Sequence, residues 1–439
     1  MAKPTQKVHL VSLGCPKNTV DSERMMGLLE GNDYELTDDP KAADVVVVNT
    51  CGFIGPAKEE SIEAIMQAHQ LKEQGKCEGV IVTGCLATRY QQELQTELVE
   101  ADRILTIEQE GAIVQNVDEV LGVERAGARA QYLPRLTMTP AHWAYLRISD
   151  GCDHKCAFCA IPAIRGRHVS EPIEMLVEEA GRLAEGGARE LVLVSQDSVR
   201  YGADLYGRPR LVELLRALSE VDGIEWLRLM YTYPAFWTDE MIDFYATSEK
   251  MCNYIDMPLQ HINDEVLQRM KRATTRRKTV DLLERLRSRL PGVGLRSTFI
   301  VGFPGETEEQ FAELLEFVEA TGFDHVSGFV YSPEEGTAAY ELDREVAQEV
   351  AEERYGRLSR LQEGVSARRN DELIGSRQQV LVDERTAAGF AGRTERDAPE
   401  IDGQVLIEVG AAEVGKFVQV EITGAYAFEL SGRAVSAPW

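Results

Sequence analysis

The chain lacks long hydrophobic runs, has few cysteines and carries fewer positive than negative charges, and each shortage narrows what it can be. No apolar stretch approaches the ~20 residues that cross a bilayer, and the opening segment 1–14 lacks the apolar core of a secretory signal. A cytosolic protein without membrane contact is therefore expected. Eight cysteines in 439 residues are too sparse for a disulfide framework, so in a reducing compartment they read as metal ligands, catalytic thiols or small buried groups. Lys and Arg number 47 against 73 Asp and Glu, a net charge of −26. That sign is opposite to the basic surface of a protein that grips nucleic-acid phosphates, and it favours a basic partner, although a high charge also serves solubility alone. With 44% apolar and 27% charged residues the composition is that of a globular protein. The length suggests two or three domains at about 150 residues each.

Three segments differ in period. Residues 1–135 carry short apolar runs at 8–13, 45–48 and 80–82 separated by helical spacing such as 59–71. This is a βαβ pattern, and the run DVVVV suits a parallel sheet covered on both faces. After the linker QYLPRLTMTP, residues 140–375 hold six candidate strands at 144–149, 190–195, 225–230, 254–256, 295–300 and 325–330. Helical segments at 173–184, 211–218, 280–290 and 308–320 fill the gaps, predicting a full or partial β/α barrel. From 376 to 439 the period becomes two, with Gly-rich turns, as in a small antiparallel β-barrel.

Six of the cysteines form two constellations. Cys152, Cys156 and Cys159 stand as CxxxCxxC directly after the first barrel strand, where β/α-barrel active sites lie. Three thiolates on one short loop can hold three irons of a cubic 4Fe-4S cluster and leave the fourth iron open. His154 keeps zinc available as an alternative. Cys15, Cys51 and Cys85 each follow one of the three N-terminal strands, in SLGC, VNTC and VTGC. Ligand crevices of parallel sheets lie beyond the carboxyl ends of the strands, so these three can meet; the plainer reading is three small buried thiols. Cys77 and Cys252 have no partner at ligand spacing and read as structural.

The CxxxCxxC after the first strand of a six-unit β/α pattern resembles the radical S-adenosylmethionine (SAM) superfamily, and the second triad together with a C-terminal small barrel resembles its methylthiotransferases. The resemblance spans nearly the whole chain. It implies an N-terminal domain at 1–135 with an auxiliary 4Fe-4S cluster that carries the transferred sulfur, a radical SAM domain at 140–375 with the second cluster and bound SAM, and a TRAM domain at 376–439. SLGCPKNTVDSE at 12–23, STFIVGFPGET at 297–307, YSPEEGT at 331–337 and DAPEIDG at 397–403 are similar to the branch that acts on an aspartate of small-subunit ribosomal protein number twelve. tRNA-acting relatives tend to carry arginine where this chain has Glu334 and Glu335, and the last segment, with 10 acidic and 6 basic side chains, suits a basic protein better than RNA. The implied activity is methylthiolation of the aspartate β-carbon, a radical reaction because that C–H is not acidic. The alternatives are a tRNA adenosine methylthiotransferase and, from another class, a non-catalytic iron–sulfur carrier or ribosome-binding scaffold. A flavodoxin- or ferredoxin-type electron donor and a monomer are expected.

Several residues carry weaker signals. Phe158, between the second and third cysteines, matches the aromatic usual in the family, with packing as its plainer role. Ser195, Gln196 and Asp197 end the second barrel strand, where the superfamily places polar groups against the methionine amino end; a strand cap is the alternative. Arg228 in the third strand is a candidate for pairing with a cofactor carboxylate, or a structural ion pair. Gln260 and His261 follow the fourth strand. Gly302 and Gly305 allow close backbone approach to a cofactor or simply a tight turn. No individual catalytic acid or base is singled out. KRATTRRK at 271–278 reads as a solvated helix end. Ser170 is followed by Glu171 where relatives often carry arginine. Asp397, Glu400 and Asp402 are expected to reach solvent and to dock a basic substrate.

Overall fold

The computed structural model describes residues 6–124 and 135–439, and the expected linker at 131–140 lies outside them as far as 134. The chain packs into two compact units. The first comprises Met1–Thr139, Asp150–Asp153 and Ala160–His168, the second Pro140–Ser149, His154–Cys159 and Val169–Trp439.

The first unit is built on a five-stranded, wholly parallel sheet. Its three main strands are Lys7–Ser12, Val45–Thr50 and Gly79–Gly84. The short strands Glu35–Leu36 and Arg103–Ile104 close the two edges. Two residues carry no readable period, which is why these edges escape a sequence reading. Every residue of Val45–Thr50 and Gly79–Gly84 is buried, because alternate valines serve opposite faces. Val45, Val47 and Ile81 pack with Met25, Leu29 and Val117. Val46, Val48, Val80 and Val82 pack with Ile65 and Ala68 on the other side.

In the second unit the six expected strands are present as Trp143–Arg147, Glu190–Val194, Trp226–Leu229, Tyr254–Asp256, Gly294–Val301 and His325–Val330. They form two three-stranded parallel sheets in chain order, joined by a parallel bridge between Leu227 and Met251. The result is a partial β/α barrel. A helix not anticipated from the pattern, Gln348–Asp371, covers the last strand. Its sequence is dominated by charge, so its apolar stripe is thin; Leu358 and Val365 are buried, and Gln362 and Ser366 donate to the carbonyls of Phe323 and Asp324. The terminal strands Arg377–Thr386, Gly389–Arg393, Gln404–Val409, Phe417–Ala425 and Glu429–Ala434 close into a barrel. All neighbours in it are antiparallel except Gln404–Val409 with Glu429–Ala434.

The loop 394–403 of this small barrel packs against the N-terminal ends of the β/α-barrel strands. Glu190 opens the second strand and is wholly buried; its two oxygens accept from Arg228 Nε at 2.7 Å and from Arg393 Nη1 at 2.7 Å. Arg228 Nη1 also donates to the Glu395 carbonyl at 2.8 Å. Tyr254 Oη donates to Asp402 at 2.7 Å, and Tyr145 Oη to Glu400 at 2.7 Å. Arg296 bridges Asp256 and Asp402, and His325 lies 3.3 Å from Asp397. Charges removed from water persist only when paired this fully.

Two expectations are corrected here. The side chains of Asp397 and Asp402 are withdrawn from solvent, since they are consumed as partners of barrel side chains, whereas Glu400 is exposed as expected while one of its oxygens accepts from Tyr145. Arg228, at 0% exposure, belongs to this buried network at the N-terminal end of the strands, opposite to the end that carries CxxxCxxC. A cofactor carboxylate has no place beside it.

Candidate functional site

In the first unit the three strand-end cysteines are drawn together by the backbone. Gly14 has φ +95, and a Cβ there would lie 2.9 Å from Cys51 Cβ and 3.1 Å from Cys51 Sγ. Glycine is thus what lets the Cys15 turn approach Cys51. At Gly84, φ +93, a Cβ would meet Asn49 Oδ1 at 2.3 Å, so the turn into Cys85 has the same requirement. Cys51 is fixed by Ser61, whose hydroxyl accepts from the Cys51 N–H and donates to its carbonyl, both at 2.9 Å.

Asn18, fully buried on the helix Pro16–Glu30, organises the polar side of this site. Its amide donates to the Leu13 and Thr50 carbonyls at 3.1 and 2.9 Å, which leaves Oδ1 to accept from Cys85 Sγ at 3.4 Å and from Arg165 at 2.5 Å. Arg165 also pairs with Asp21 at 2.8 Å and Asp150 at 2.9 Å. Burial pushes the Cys85 thiol up to about 12, Arg165 opposes that, and Cys15 and Cys51 add to it. The Cys51 thiol is likewise raised, chiefly by burial, with the Phe53 N–H opposing and Cys15 reinforcing. The Cys85 thiol thus feels both other thiols of the triad, and the Cys51 thiol feels Cys15. Sequence reasoning missed Asn18 and Arg165. Their roles depend on contacts across 147 positions that no local pattern announces.

None of the eight cysteines is joined in a disulfide. Among the described residues no three His, Cys, Asp or Glu side chains are grouped to hold one metal ion. Thiolates that bind different irons of a cubane stand further apart than ligands sharing one ion. The all-thiol donor set of each triad, with a cationic or amide neighbour, fits an iron–sulfur cluster.

CxxxCxxC follows the first barrel strand. Its first cysteine groups with the first unit, and its other two with the second. Cys152 N–H donates to the Gly166 carbonyl at 3.1 Å. Cys156 and Cys159 share a turn, closed by Cys159 N–H to Cys156 O at 3.2 Å. That turn is anchored at Ala157, whose N–H donates to Met270 O and whose carbonyl accepts from Ala339 N–H. Phe158 packs against a cluster that includes Val266, Met270, Phe303 and Ala339.

Beyond the second strand, Ser195 is buried and its hydroxyl shares a 2.9 Å hydrogen bond with Ser198, which donates to the Met230 carbonyl. Gln196 is half-buried beside it. Asp197 is paired at 2.6 Å with His154, which gives that histidine a carboxylate partner within the fold.

Gly302 is explained without a ligand: φ is +73, and a Cβ would lie 2.4 Å from Ala351 Cβ on the covering helix. Its N–H is taken by Glu306. The same carboxylate accepts from Arg354 and meets His261 Nε2 at 3.2 Å, while His261 Nδ1 accepts from the Asn263 N–H. His261 is therefore a satisfied structural group. Gln260 serves the barrel through its backbone, bonded to Thr298 and Ile300. Cys252 is wholly buried with its thiol pushed up by that burial, as a structural residue should be.

Comparison with known proteins agrees with this geometry. The model of the radical SAM superfamily matches residues 146–318, that of the uncharacterized protein family UPF0004 matches 7–106, and that of the TRAM domain matches 374–435. A ribosomal protein uS12 methylthiotransferase RimO of Trichlorobacter lovleyi is 46% identical over 97% of this chain and 97% of its own length. The protein of that name from Desulforamulus reducens is 45% identical over 97% and 98%, and that from Geobacter sulfurreducens 44% over 99% and 100%. Among solved structures, the radical SAM methyltransferase TsrM from Kitasatospora setae, with cobalamin and a [4Fe-4S] cluster bound, aligns with TM-score 0.51 at 16% identity, covering 76% of this chain and 77% of its own. No helix among the described residues is long and apolar enough to cross a membrane. The chain belongs to the RimO family of radical SAM methylthiotransferases, enzymes that work with a 4Fe-4S cluster and S-adenosylmethionine.

Proposed function

We propose that this enzyme methylthiolates the β-carbon of an aspartate in ribosomal protein uS12. The observation that carries the reading is full-length identity of 44–46% to relatives of that name, and the joined cysteine site of the first unit supports it. Cys152, Cys156 and Cys159 are the ligands of the radical SAM cluster, and Cys15, Cys51 and Cys85 those of a second 4Fe-4S cluster. A cubane held by either triad would keep one iron without a protein ligand. Held by Cys152, Cys156 and Cys159, it would supply the one-electron chemistry that cleaves the sulfonium of S-adenosylmethionine and so provides the radical that removal of a hydrogen from an unactivated carbon demands.

The chain's own residues prepare these sites. Gly14 and Gly84 admit the close approach of the N-terminal thiols, and Arg165 places a fixed positive charge beside thiols that lose their protons on binding metal. Ser195 and Gln196 offer polar groups to the amino end of S-adenosylmethionine, and Phe158 supports the turn between Cys156 and Cys159 by packing. Arg228 and Gly302 are left to the fold. A flavodoxin- or ferredoxin-type donor, a monomeric state and a cytosolic location complete the proposal. The test is anaerobic incubation of the loaded enzyme with S-adenosylmethionine, a reductant and either uS12 or tRNA. A methylthio group in place of one hydrogen on a uS12 aspartate supports the reading; modification of tRNA alone overturns it.

A further inference from the structure

The basic run at 271–278 is not merely a solvated helix end. Arg272 follows the helix Asp264–Arg269 and turns inward, where three contacts fix its guanidinium. Nη2 donates to the Pro258 carbonyl at 2.6 Å, and Nη1 donates to Cys156 Sγ at 3.6 Å. The guanidinium carbon lies 4.0 Å from the ring centroid of Tyr233. That ring is itself held: it is buried, and its hydroxyl accepts from the Ala273 N–H at 2.9 Å. His154 stacks on Tyr233 with centroids 4.1 Å apart and planes 13° apart. Two planar groups each about 4 Å from one ring centre must occupy its opposite faces. The order is therefore His154, Tyr233, Arg272, with His154 fastened through Nε2 to Asp197 at 2.6 Å. Two residues of the CxxxCxxC stretch, His154 and Cys156, are thus gripped from opposite sides of one tyrosine.

Arg is the residue suited to this place. A guanidinium stays charged, stacks on an aromatic face and presents several donors in a rigid fork, so it can hold a carbonyl and a sulfur at once. A lysine has one charged centre and cannot keep both contacts and the stack. When Cys156 is a thiolate, the N–H···S contact becomes charge-assisted. Hydrogen bonds to cluster sulfurs and nearby charge set reduction potentials, and donors of this kind favour the reduced, more negative state. We propose that Arg272 is a positioning residue for the radical SAM cluster, donating to the Cys156 thiolate from its stack on Tyr233 and raising the potential at which the cluster accepts its electron. The proposal rests on Cys156 being a cluster ligand.

The test uses the full chain carrying Cys15→Ala, Cys51→Ala and Cys85→Ala, so that a single cluster is read, loaded anaerobically. Iron content and the midpoint potential, followed by electron paramagnetic resonance, are measured for Arg272→Met, Arg272→Gln and Arg272→Lys. A shift to lower potential in Met, smaller in Gln and Lys, with the cluster retained, is the expected result. Tyr233→Phe, which keeps the ring, should leave the potential in place. Unchanged potentials in all three arginine variants, or loss of iron without any shift in the cluster that remains, would make Arg272 a structural prop and overturn the inference. Cys156→Ala separates the two claims: if it keeps the full cluster, the ligand assignment itself is wrong, whatever the arginine variants do.

Discussion

Asp402, in a loop of the terminal barrel, accepts the hydroxyl proton of Tyr254 at 2.7 Å in the β/α barrel. Tyr254 opens the fourth barrel strand, so the contact lies at the end of the strands remote from CxxxCxxC. With Glu190–Arg393, Arg228–Glu395 and His325–Asp397 it forms a polar plug. Edge-to-face packing of Trp226 on Phe417, centroids 4.8 Å apart, supplies its apolar part. The end that faces away from the chemistry is closed by structure, as expected where a barrel invests in stability.

Arg228→Met should therefore act on stability and not on cofactor binding. It removes one of the two arginines on a fully buried carboxylate, and breaking such a pair costs roughly 3–5 kcal/mol. Arg393 remains on Glu190, which places the expected loss near the lower end. Thermal unfolding checks the loss, and equilibrium binding of S-adenosylmethionine to folded enzyme should be unchanged.

The plug should respond to pH through His325. Burial alone would lower this histidine, but Asp402, Asp397 and Asp324 outweigh it and lift it to about 9 from 6.5. A folded value above the unfolded one means that the stabilisation is complete below about pH 6.5 and fades as pH rises through 9, with on the order of 3 kcal/mol at stake. Urea unfolding between pH 6 and 10 should show this decline. His325→Gln should flatten it, at the cost of lower stability at pH 6.

Charge reversal on the terminal barrel should divide by burial. Asp402→Lys places an uncompensated cation against Arg296 and should unfold or loosen the second unit. Reversal of the exposed Glu384, Glu408 and Glu413 should change stability by less than about 0.5 kcal/mol. Any electrostatic contact with a basic substrate would then be read in the exposed set, as weaker binding at low salt.

Much of this fold was legible because its signals are local. Unbroken valines in 45–48 announce a strand buried on both faces, and six apolar runs with helical spacers announce the β/α barrel. The placement of Cys15, Cys51 and Cys85 at strand ends and of Cys152, Cys156 and Cys159 in one loop was legible for the same reason. Asn18, Arg165 and Arg272 were not, because each owes its role to partners far away in sequence. Arg272 in particular reaches a sulfur 116 positions earlier from a run whose composition suggests solvent. The acids of DAPEIDG misled for a related reason: a turn-rich acidic segment looks exposed until a second structure supplies arginines, tyrosines and a histidine to bury it against.

Gly14→Ala should strip iron from the N-terminal site alone. The new methyl would fall 2.9 Å from Cys51 Cβ at a residue with φ +95, so both strain and overlap force the Cys15 turn away from Cys51. Wild-type enzyme loaded anaerobically should hold about eight irons on the two-cubane reading, and the variant about four. Reductive cleavage of S-adenosylmethionine should persist.

In the proposed reaction two cysteine sites divide the work, radical formation at Cys152, Cys156 and Cys159 and sulfur delivery at Cys15, Cys51 and Cys85. The decisive measurement follows 5′-deoxyadenosine and methylthiolated uS12 together, in wild type and in the variant with Cys15, Cys51 and Cys85 all replaced by Ala. The wild type should form both products. The variant should still form 5′-deoxyadenosine and leave uS12 without a methylthio group. Methylthiolation of uS12 by the variant at the wild-type rate, or loss of 5′-deoxyadenosine from a variant that folds and keeps its other cluster, would contradict this division.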